Sequence, residues 1–524
     1  MGQEGIFMKT FLNHFLFSDV SVAVFTALGA LGVLCFYSTR YGFVFVDNAL
    51  FKNFALALFL LAVLGEVCLF TVFALRVHHS SLLPEKLACI MVLFGEVMAV
   101  VSLVYPLISL AVDQFMSLSS AWTLCKQALP VWGAVVSVAF FAFVFPAISS
   151  GALKKGVAVA AAVILVFISY ASIFPVTPYR FTSDPVVFDN GSDYAVVFST
   201  NVSGTGWLEY TYNGEYNGET VRLYDETDGR KNNSRIHTFR VPKDQLSGST
   251  YRVGATRVID ELTYGGRTGK TIESEPITLQ DTFGQNIDVL TLSDWHTKNA
   301  RAKAAAETLG DYQALILLGD CSPGLMSQDD VVKYILQFAS DLSGGTMPVI
   351  YVRGNHETRG PEADNLSAYL GMDRFCFTTT LGSYDLVVLD SCEDKEDSHP
   401  EYGGMNDYET YRRNMVSWLE TLQPTQKHTV ALCHAPEICR EEDLSAAALA
   451  KLDALGVSLL ASGHEHVLDY RTDGRFPVLV DGGQDANGMF TFVASMLHFA
   501  PNGIDIVSAD QDGSVLLETT AAWK

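Results

Sequence analysis

Five short polar motifs constrain this chain more than any other feature: Asp294-Trp295-His296, Gly319-Asp320, Gly354-Asn355-His356-Glu357, Cys433-His434 and Gly463-His464-Glu465-His466. Each follows an apolar run that reads as a buried strand: Ile287–Ser293, Ala314–Leu318, Met347–Arg353, His428–Leu432 and Val457–Ser462. Helical stretches separate them, over Lys298–Leu309, Asp329–Leu342, Glu409–Leu422 and Leu444–Leu455. Alternating strands and helices predict a layered α/β core. Side chains that serve a ligand in such a core stand beyond the C-terminal ends of its strands. A chain that closes five strands with polar motifs is therefore expected to bring those five ends together.

The residue types then specify the chemistry. Carboxylate, carboxamide and imidazole groups are the donors that a pair of divalent cations needs, with one carboxylate able to bridge them. Asp320, alone after a strand and a glycine, is the natural bridge. Asp294 and His296 are two apart on an extended segment and can reach one metal together. His464 and His466, also two apart, can present nitrogens to different metals. Asn355 adds an amide oxygen and His434 an imidazole. His356 is left over as a proton donor to a leaving oxygen. Two cations about 3.5–4 Å apart suit hydrolysis at phosphorus, because they hold a hydroxide and grip the phosphoryl oxygens.

In their order, these motifs resemble those of the calcineurin-like metallophosphoesterase superfamily, and the resemblance covers about residues 285–510. It implies a double-layered sheet sandwich flanked by helices. One metal would take Asp294, His296, Asp320 and His466, and the other Asp320, Asn355, His434 and His464. Two departures narrow the expectation. Protein Ser/Thr phosphatases carry an Asp-Arg pair soon after the second motif, where this chain runs Cys321-Ser322-Pro323-Gly324. Purple acid phosphatases use a tyrosine ligand where Pro323 stands and a non-histidine residue at the position of His296. A phosphoprotein substrate and an obligatory ferric ion are thus not expected, and Mn²⁺, Fe²⁺ and Zn²⁺ all remain open. Residues 358–374 and 391–413 are insertions that would shape substrate choice. Arg359, close to His356, is expected to hold a phosphate oxygen.

Ahead of this unit, residues 186–280 show short alternating runs such as Tyr194–Phe198, Gly206–Tyr210 and Ile236–Val241, with turns at Asn213-Gly214, Asp228-Gly229 and Ser247-Gly248. That pattern predicts a small β-sandwich of the fibronectin-type-III kind. A sandwich before the catalytic unit is similar to the arrangement of purple acid phosphatases. Pro175, Pro178 and Pro185 read as an extended linker leading into it.

The first third has another character. Stretches near 20–38, 50–75, 87–112, 129–148 and 156–175 are long and apolar enough to cross a bilayer. The expected organisation is thus a tail over 1–19, a five-span α-helical membrane bundle over 20–175, a β-sandwich over 176–284 and the metallophosphoesterase domain over 285–524. Inner loops would carry Lys9, Arg76, Lys86, Lys154 and Lys155, and outer ones Arg40, Lys52, Lys126 and Arg180. This balance favours a catalytic domain outside the cell membrane, by one charge. Glu66 and Glu96 would lie at one depth of a helix hairpin, about 15 Å from its turn.

Residues 1–175 hold eight of the 35 Lys/Arg and seven of the 58 Asp/Glu, so 27 basic and 51 acidic residues follow. A part that acidic is a poor nucleic-acid binder, and it argues against a nuclease. The nine cysteines follow no regular spacing and are expected to be free thiols. The expectation is a membrane-anchored, metal-dependent enzyme that hydrolyses phosphate mono- or diesters through a metal-bridging hydroxide, with lipid-linked and nucleotide esters both open. The alternative is a transporter or sensor whose membrane bundle is regulated by the phosphatase-fold domain.

Overall fold

The computed structural model describes residue 151 and residues 178–524, apart from 212–219, 263–264, 483 and 486–489. The five expected spans, with Glu66, Glu96 and the loop charges before residue 178, lie outside the described residues. Among those described, no helix is long and apolar enough to cross a membrane. The chain divides into two units, and the one that can be followed comprises Tyr179–Val258 and Thr268–Lys524.

This unit begins with strands β1 (Phe181–Asp189), β2 (Asp193–Thr211), β3 (Thr220–Tyr224) and β4 (Ser234–Pro242), and with β5 (Thr250–Leu262) as far as Val258. The 19 residues of β2 serve two sets of partners. Its first half pairs with β1 and β4, as in Val196↔Phe239, and its second half with β3 and β5, as in Leu208↔Leu223 and Leu208↔Val253. Tyr194, Val196, Phe198, Leu208, Phe239, Val241 and Val253 enclose one apolar core between these halves. The Asp228-Gly229 turn has φ of 51° and 83°, the left-handed pair that a two-residue hairpin needs.

Next come three parallel strands, β6 (Ile287–Leu292), β7 (Ala314–Leu317) and β8 (Pro348–Tyr351). The N-terminal strands are continuous with this sheet. The free edge of β1 pairs parallel with β8 through Val187↔Pro348 and Phe188↔Val349. The cause is visible in β1 itself. Val187 faces the sandwich core, whereas Val186 and Phe188, on its other face, belong to the main core. A strand apolar on both faces needs cover on both. Pro185 accordingly lies within β1, at a register shift between Ser183 and Val186, a place where a missing N–H is tolerated.

A second sheet comprises β9 (Phe377–Leu381), β10 (Tyr384–Val388), β11 (His428–Leu432), β12 (Val457–Ser462), β13 (Asp469–Arg471) and β14 (Val478–Val480), in the order β9-β10-β11-β12-β14-β13. Strands β15 (Val493–Ala500), β16 (Gly503–Asp510) and β17 (Val515–Ala521) extend the first sheet beyond β6. The two sheets share the main core. Val430 and Leu432 of β11 point into it, while Ala431 and Cys433 point to the other side, against Met415, Leu419, Leu444 and Leu452. Those four belong to helices α3 (Tyr408–Thr421) and α4 (Glu442–Ala454), which follow α1 (Asn299–Glu307) and α2 (Gln337–Ser343) in the chain. The period-two alternation of β11 thus builds two apolar layers from one strand. All five described cysteines are buried and free.

Candidate metal centre

Each strand end delivers its motif through a tight turn. Asp294 and His296 follow β6, and their N–H groups donate to the carbonyls of Gly319 and Asp320 at 3.0 and 3.1 Å. The turn after β7 is therefore laced to the one after β6. Gly319 has φ of 92°, and a Cβ there would sit 2.6 Å from the Cα of Gly354, so only glycine permits this approach. Gly463 is equally constrained, since a Cβ there would lie 2.6 Å from Asp294 Oδ2. That same oxygen accepts the N–H of His464 at 2.9 Å.

All seven expected ligands converge. Asp294, His296, Asp320 and His466 offer atoms that all lie within 4.8 Å of one another, and so do Asp320, His434 and His464. Asp320 belongs to both groups. Its Oδ2 lies 3.3 Å from His434 Nε2 and 3.6 Å from His296 Nε2. Asn355 joins the second group, with Oδ1 at 3.2 Å from both His434 Nε2 and His464 Nδ1. Five of the seven, namely Asp294, His296, Asp320, His464 and His466, have positive φ. Non-glycine residues rarely adopt this conformation, and strain of this kind gathers at functional sites.

The donor set itself tests whether cations fit. Asp294 is buried and its Oδ1 has no hydrogen-bond partner, a costly state for an oxygen without a cation. The Asn355 amide can take two orientations. With Oδ1 inward, it faces two imidazole nitrogens and the Asp320 carboxylate, groups that a cation would ligate together once the imidazoles are neutral. With nitrogen inward, it donates to Asp320 at 3.1 Å while its oxygen accepts from Arg359 Nη2 at 2.9 Å. His434 is wholly buried, and its Nδ1 donates to the carbonyl of Leu318 at 2.6 Å. That bond fixes the tautomer and leaves Nε2 directed at Asp320, as a metal-ligating imidazole requires. The residues fit two divalent cations.

Electrostatics follow from this crowding. Burial opposes ionisation of Asp320, but the imidazoles of His434, His356 and His296 outweigh it and hold the carboxyl well below the usual range. Burial would lower His434, yet the charge of Asp320 and its hydrogen bond push the imidazole up to about 10. Burial lowers His296 to about 4 and raises Asp294.

His356 and Arg359 lie beside the second group. His356 N donates to Asp320 Oδ1 at 3.0 Å, and Nδ1 donates to the carbonyl of Pro323 at 3.0 Å. His356 Nε2 then faces Arg359 Nη1 at 2.9 Å. Arg359 is ion-paired with Glu393 through Nε.

Glu357, the last residue of its motif, has a role that the sequence alone does not assign. It is wholly buried, and its carboxylate accepts N–H bonds from Asp320 at 2.9 Å, Cys321 at 2.7 Å, Ser322 at 3.3 Å and Gly354 at 3.0 Å. It thereby ties the turn that carries Asp320 to the turn that carries Asn355. Burial and the neighbouring Asp320 raise its carboxyl to about 7. A glutamate two residues from a ligand, in a turn without an aliphatic neighbour, was the available signal.

Residues 287–468, which include all seven ligand candidates, match the calcineurin-like phosphoesterase family. The chain thus carries a calcineurin-like phosphoesterase domain. No curated protein matches the sequence significantly. Among solved structures, it is similar to the purple acid phosphatase PPD1 from yellow lupin (Lupinus luteus) seeds, at 13% identity and a TM-score of 0.43, covering 64% of this chain and 74% of that one. It is also similar to GAP50, the anchor in the inner membrane complex of Plasmodium, at 16% identity and a TM-score of 0.37, covering 46% and 90%. A third similarity, to the phosphopantetheinyl hydrolase PptH of Mycobacterium tuberculosis, has 18% identity and a TM-score of 0.27, covering 38% and 89%.

Proposed function

We propose that this protein is a dinuclear metal-dependent phosphoesterase that hydrolyses phosphate mono- or diesters. What carries the reading is the sharing of Asp320 by two groups of ligand atoms. One cation would be held by Asp294, His296, Asp320 and His466, and the other by Asp320, Asn355, His434 and His464. Bound there, Mn²⁺, Fe²⁺ or Zn²⁺ would supply Lewis-acid charge for a phosphoryl group and a nucleophilic water at neutral pH. The chain's own groups do the rest. His356, one-quarter exposed and 3.9 Å from Asp320 Oδ2, is the proposed proton donor to the leaving oxygen, a role that requires Nε2 to carry a proton and Arg359 Nη1 to turn from it to the phosphate. Arg359 turns its terminal nitrogens toward the same side and holds a phosphate oxygen. Glu357 keeps the two ligand-bearing turns in register.

The test is hydrolysis of paired chromogenic mono- and diesters by the full chain in detergent, loaded with each metal in turn. Asp320→Ala is expected to bind neither cation firmly. Losing several kcal/mol of charge stabilisation would cut turnover on the order of a thousandfold. Full turnover in that variant would sink the reading.

The proposal extends to location. The hydropathy of residues 20–175 supports a five-span anchor in the cell membrane, with the phosphoesterase on its outer side. Protease shaving of intact cells that leaves residues 178–524 untouched would reverse that orientation. Nucleotide and lipid-linked esters are the substrates to compare first.

A further inference from the structure

The loop over 391–413, an insertion expected to shape substrate choice, sends a buried carboxylate to the edge of the site. Glu393 is 1% exposed. Its Oε1 pairs with Arg359 Nε and accepts from Thr358 Oγ1 at 3.5 Å, and its Oε2 accepts the Tyr402 hydroxyl at 2.7 Å. The loop that carries Glu393 is itself held. Arg412 Nη1 donates to the Glu393 carbonyl at 2.9 Å, while Nε and Nη2 of the same guanidinium grip Glu441 at 2.8 and 2.6 Å. Asp397 accepts the first N–H groups of α3, from Tyr408 at 2.9 Å and Glu409 at 3.0 Å. A carboxylate so placed is a fixed point rather than a mobile surface charge.

Its effect on Arg359 is directional. A guanidinium is planar, so fixing Nε fixes the line of the two terminal nitrogens. Nη1 then stands 2.9 Å from His356 Nε2, and Nη2 stands 2.9 Å from the outer atom of the Asn355 amide. Both terminal nitrogens thus border the turn that supplies the proton donor and a metal ligand, and neither is taken by a carboxylate. An unheld arginine on a loop would spend its conformational freedom each time it bound an anion.

We propose that Glu393, braced by Tyr402, is a positioning residue that aims Arg359 at a phosphoryl oxygen of the substrate. This rests on the reading of Arg359 as a phosphate ligand. Glu393 touches neither substrate nor cation. It acts by keeping two donors pre-aimed, so its contribution falls on binding of the phosphoryl group.

Calorimetric titration of inorganic phosphate into the Mn²⁺-loaded full chain tests this without turnover. Arg359→Ala and Glu393→Ala are each expected to weaken phosphate binding about tenfold, the scale of one charge-assisted hydrogen bond. Glu393→Gln and Tyr402→Phe should weaken it by smaller factors. The double variant Arg359→Ala, Glu393→Ala should bind no worse than Arg359→Ala alone, because the two residues act as one unit. In catalysis the Glu393 variants should raise KM more than they lower kcat, with metal content unchanged. Should Glu393→Ala fail to fold, Tyr402→Phe keeps the carboxylate and still reports on its aim. Losses that multiply in the double variant would overturn the clamp. So would unchanged phosphate affinity in both Glu393→Gln and Tyr402→Phe. Unchanged binding in every variant, with turnover intact, would remove the clamp and leave the phosphoesterase standing. Weakened binding as expected, in a protein without turnover, would remove the hydrolase and leave the clamp.

Discussion

The two ligand groups share Asp320 and differ in almost everything else. On one side, His434 is fully buried, locked to Leu318, and joined by an Asn355 that is 3% exposed. On the other, His296 and His466 are 22% and 31% exposed, and their rings stack 5.0 Å apart with their Nε2 atoms at 3.4 Å. The buried side is held by backbone and has little room to adjust. The open side has two histidines reached by solvent, while positive φ is common to both sides, at His464 as at His296 and His466. On the proposed dinuclear reading, the difference implies one tightly held cation and one more exchangeable.

Glu357 supports both sides, so its loss tests whether they stand on one frame. Glu357→Ala would strand as many as four buried N–H groups, each costing about 1–3 kcal/mol. Urea unfolding should show a loss of several kcal/mol, and the variant should retain neither cation at stoichiometry. Retention of the open-side cation alone would show that the two groups are separately framed.

His434→Ala and His296→Ala come next and should separate the sides. Removal of metal from the parent by a chelator is expected to be biphasic, with the open side emptying first. His296→Ala should abolish the fast phase and leave the slow one. His434→Ala should abolish the slow phase, and it should also destabilise the fold, because it leaves the Leu318 carbonyl and Asp320 without their buried partner. A single release phase for the parent would break the comparison.

How much of this was legible in the sequence also divides the molecule. The strands β6, β7, β8, β11 and β12 and the four helical stretches could be read because each is a local apolar pattern closed by a polar motif. The convergence of seven ligands followed from five such ends belonging to one layered core. What could not be read was pairing between distant segments. Val186, Val187 and Phe188 are evidently a buried strand, but nothing local says that the partner is Pro348-Val349 rather than a second sandwich sheet. The hairpin of β9 and β10 and the C-terminal β15, β16 and β17 carry no motif that would have drawn attention to them. The stretch read as one helix over Asp329–Leu342 is interrupted by a π-helical turn at Val331–Leu336, which side-chain pattern does not announce. Arg359 stands out in the sequence for its position beside His356. Glu393 does not, because a buried carboxylate 34 residues away looks in sequence like another charge in an acidic loop.

The smallest expected effect is also the most discriminating. Without a cation His434 is held up to about 10 by Asp320, so it is protonated at neutral pH and must release that proton to become a ligand. Uptake on the buried side therefore competes with one proton, and affinity there should rise about tenfold per pH unit from neutrality up to about pH 10, then level off. Burial has pushed His296 to about 4, so on the open side that histidine is already neutral and adds no such slope. Competition with a chelator at three pH values between 6.5 and 8.5 would resolve the two dependences through the fast- and slow-release phases. Equal slopes would mean that the proton is shared across the Asp320 bridge. A steep slope confined to the slow phase would mean that the bridge separates two sites of different proton demand, with the exchangeable cation available across the whole range.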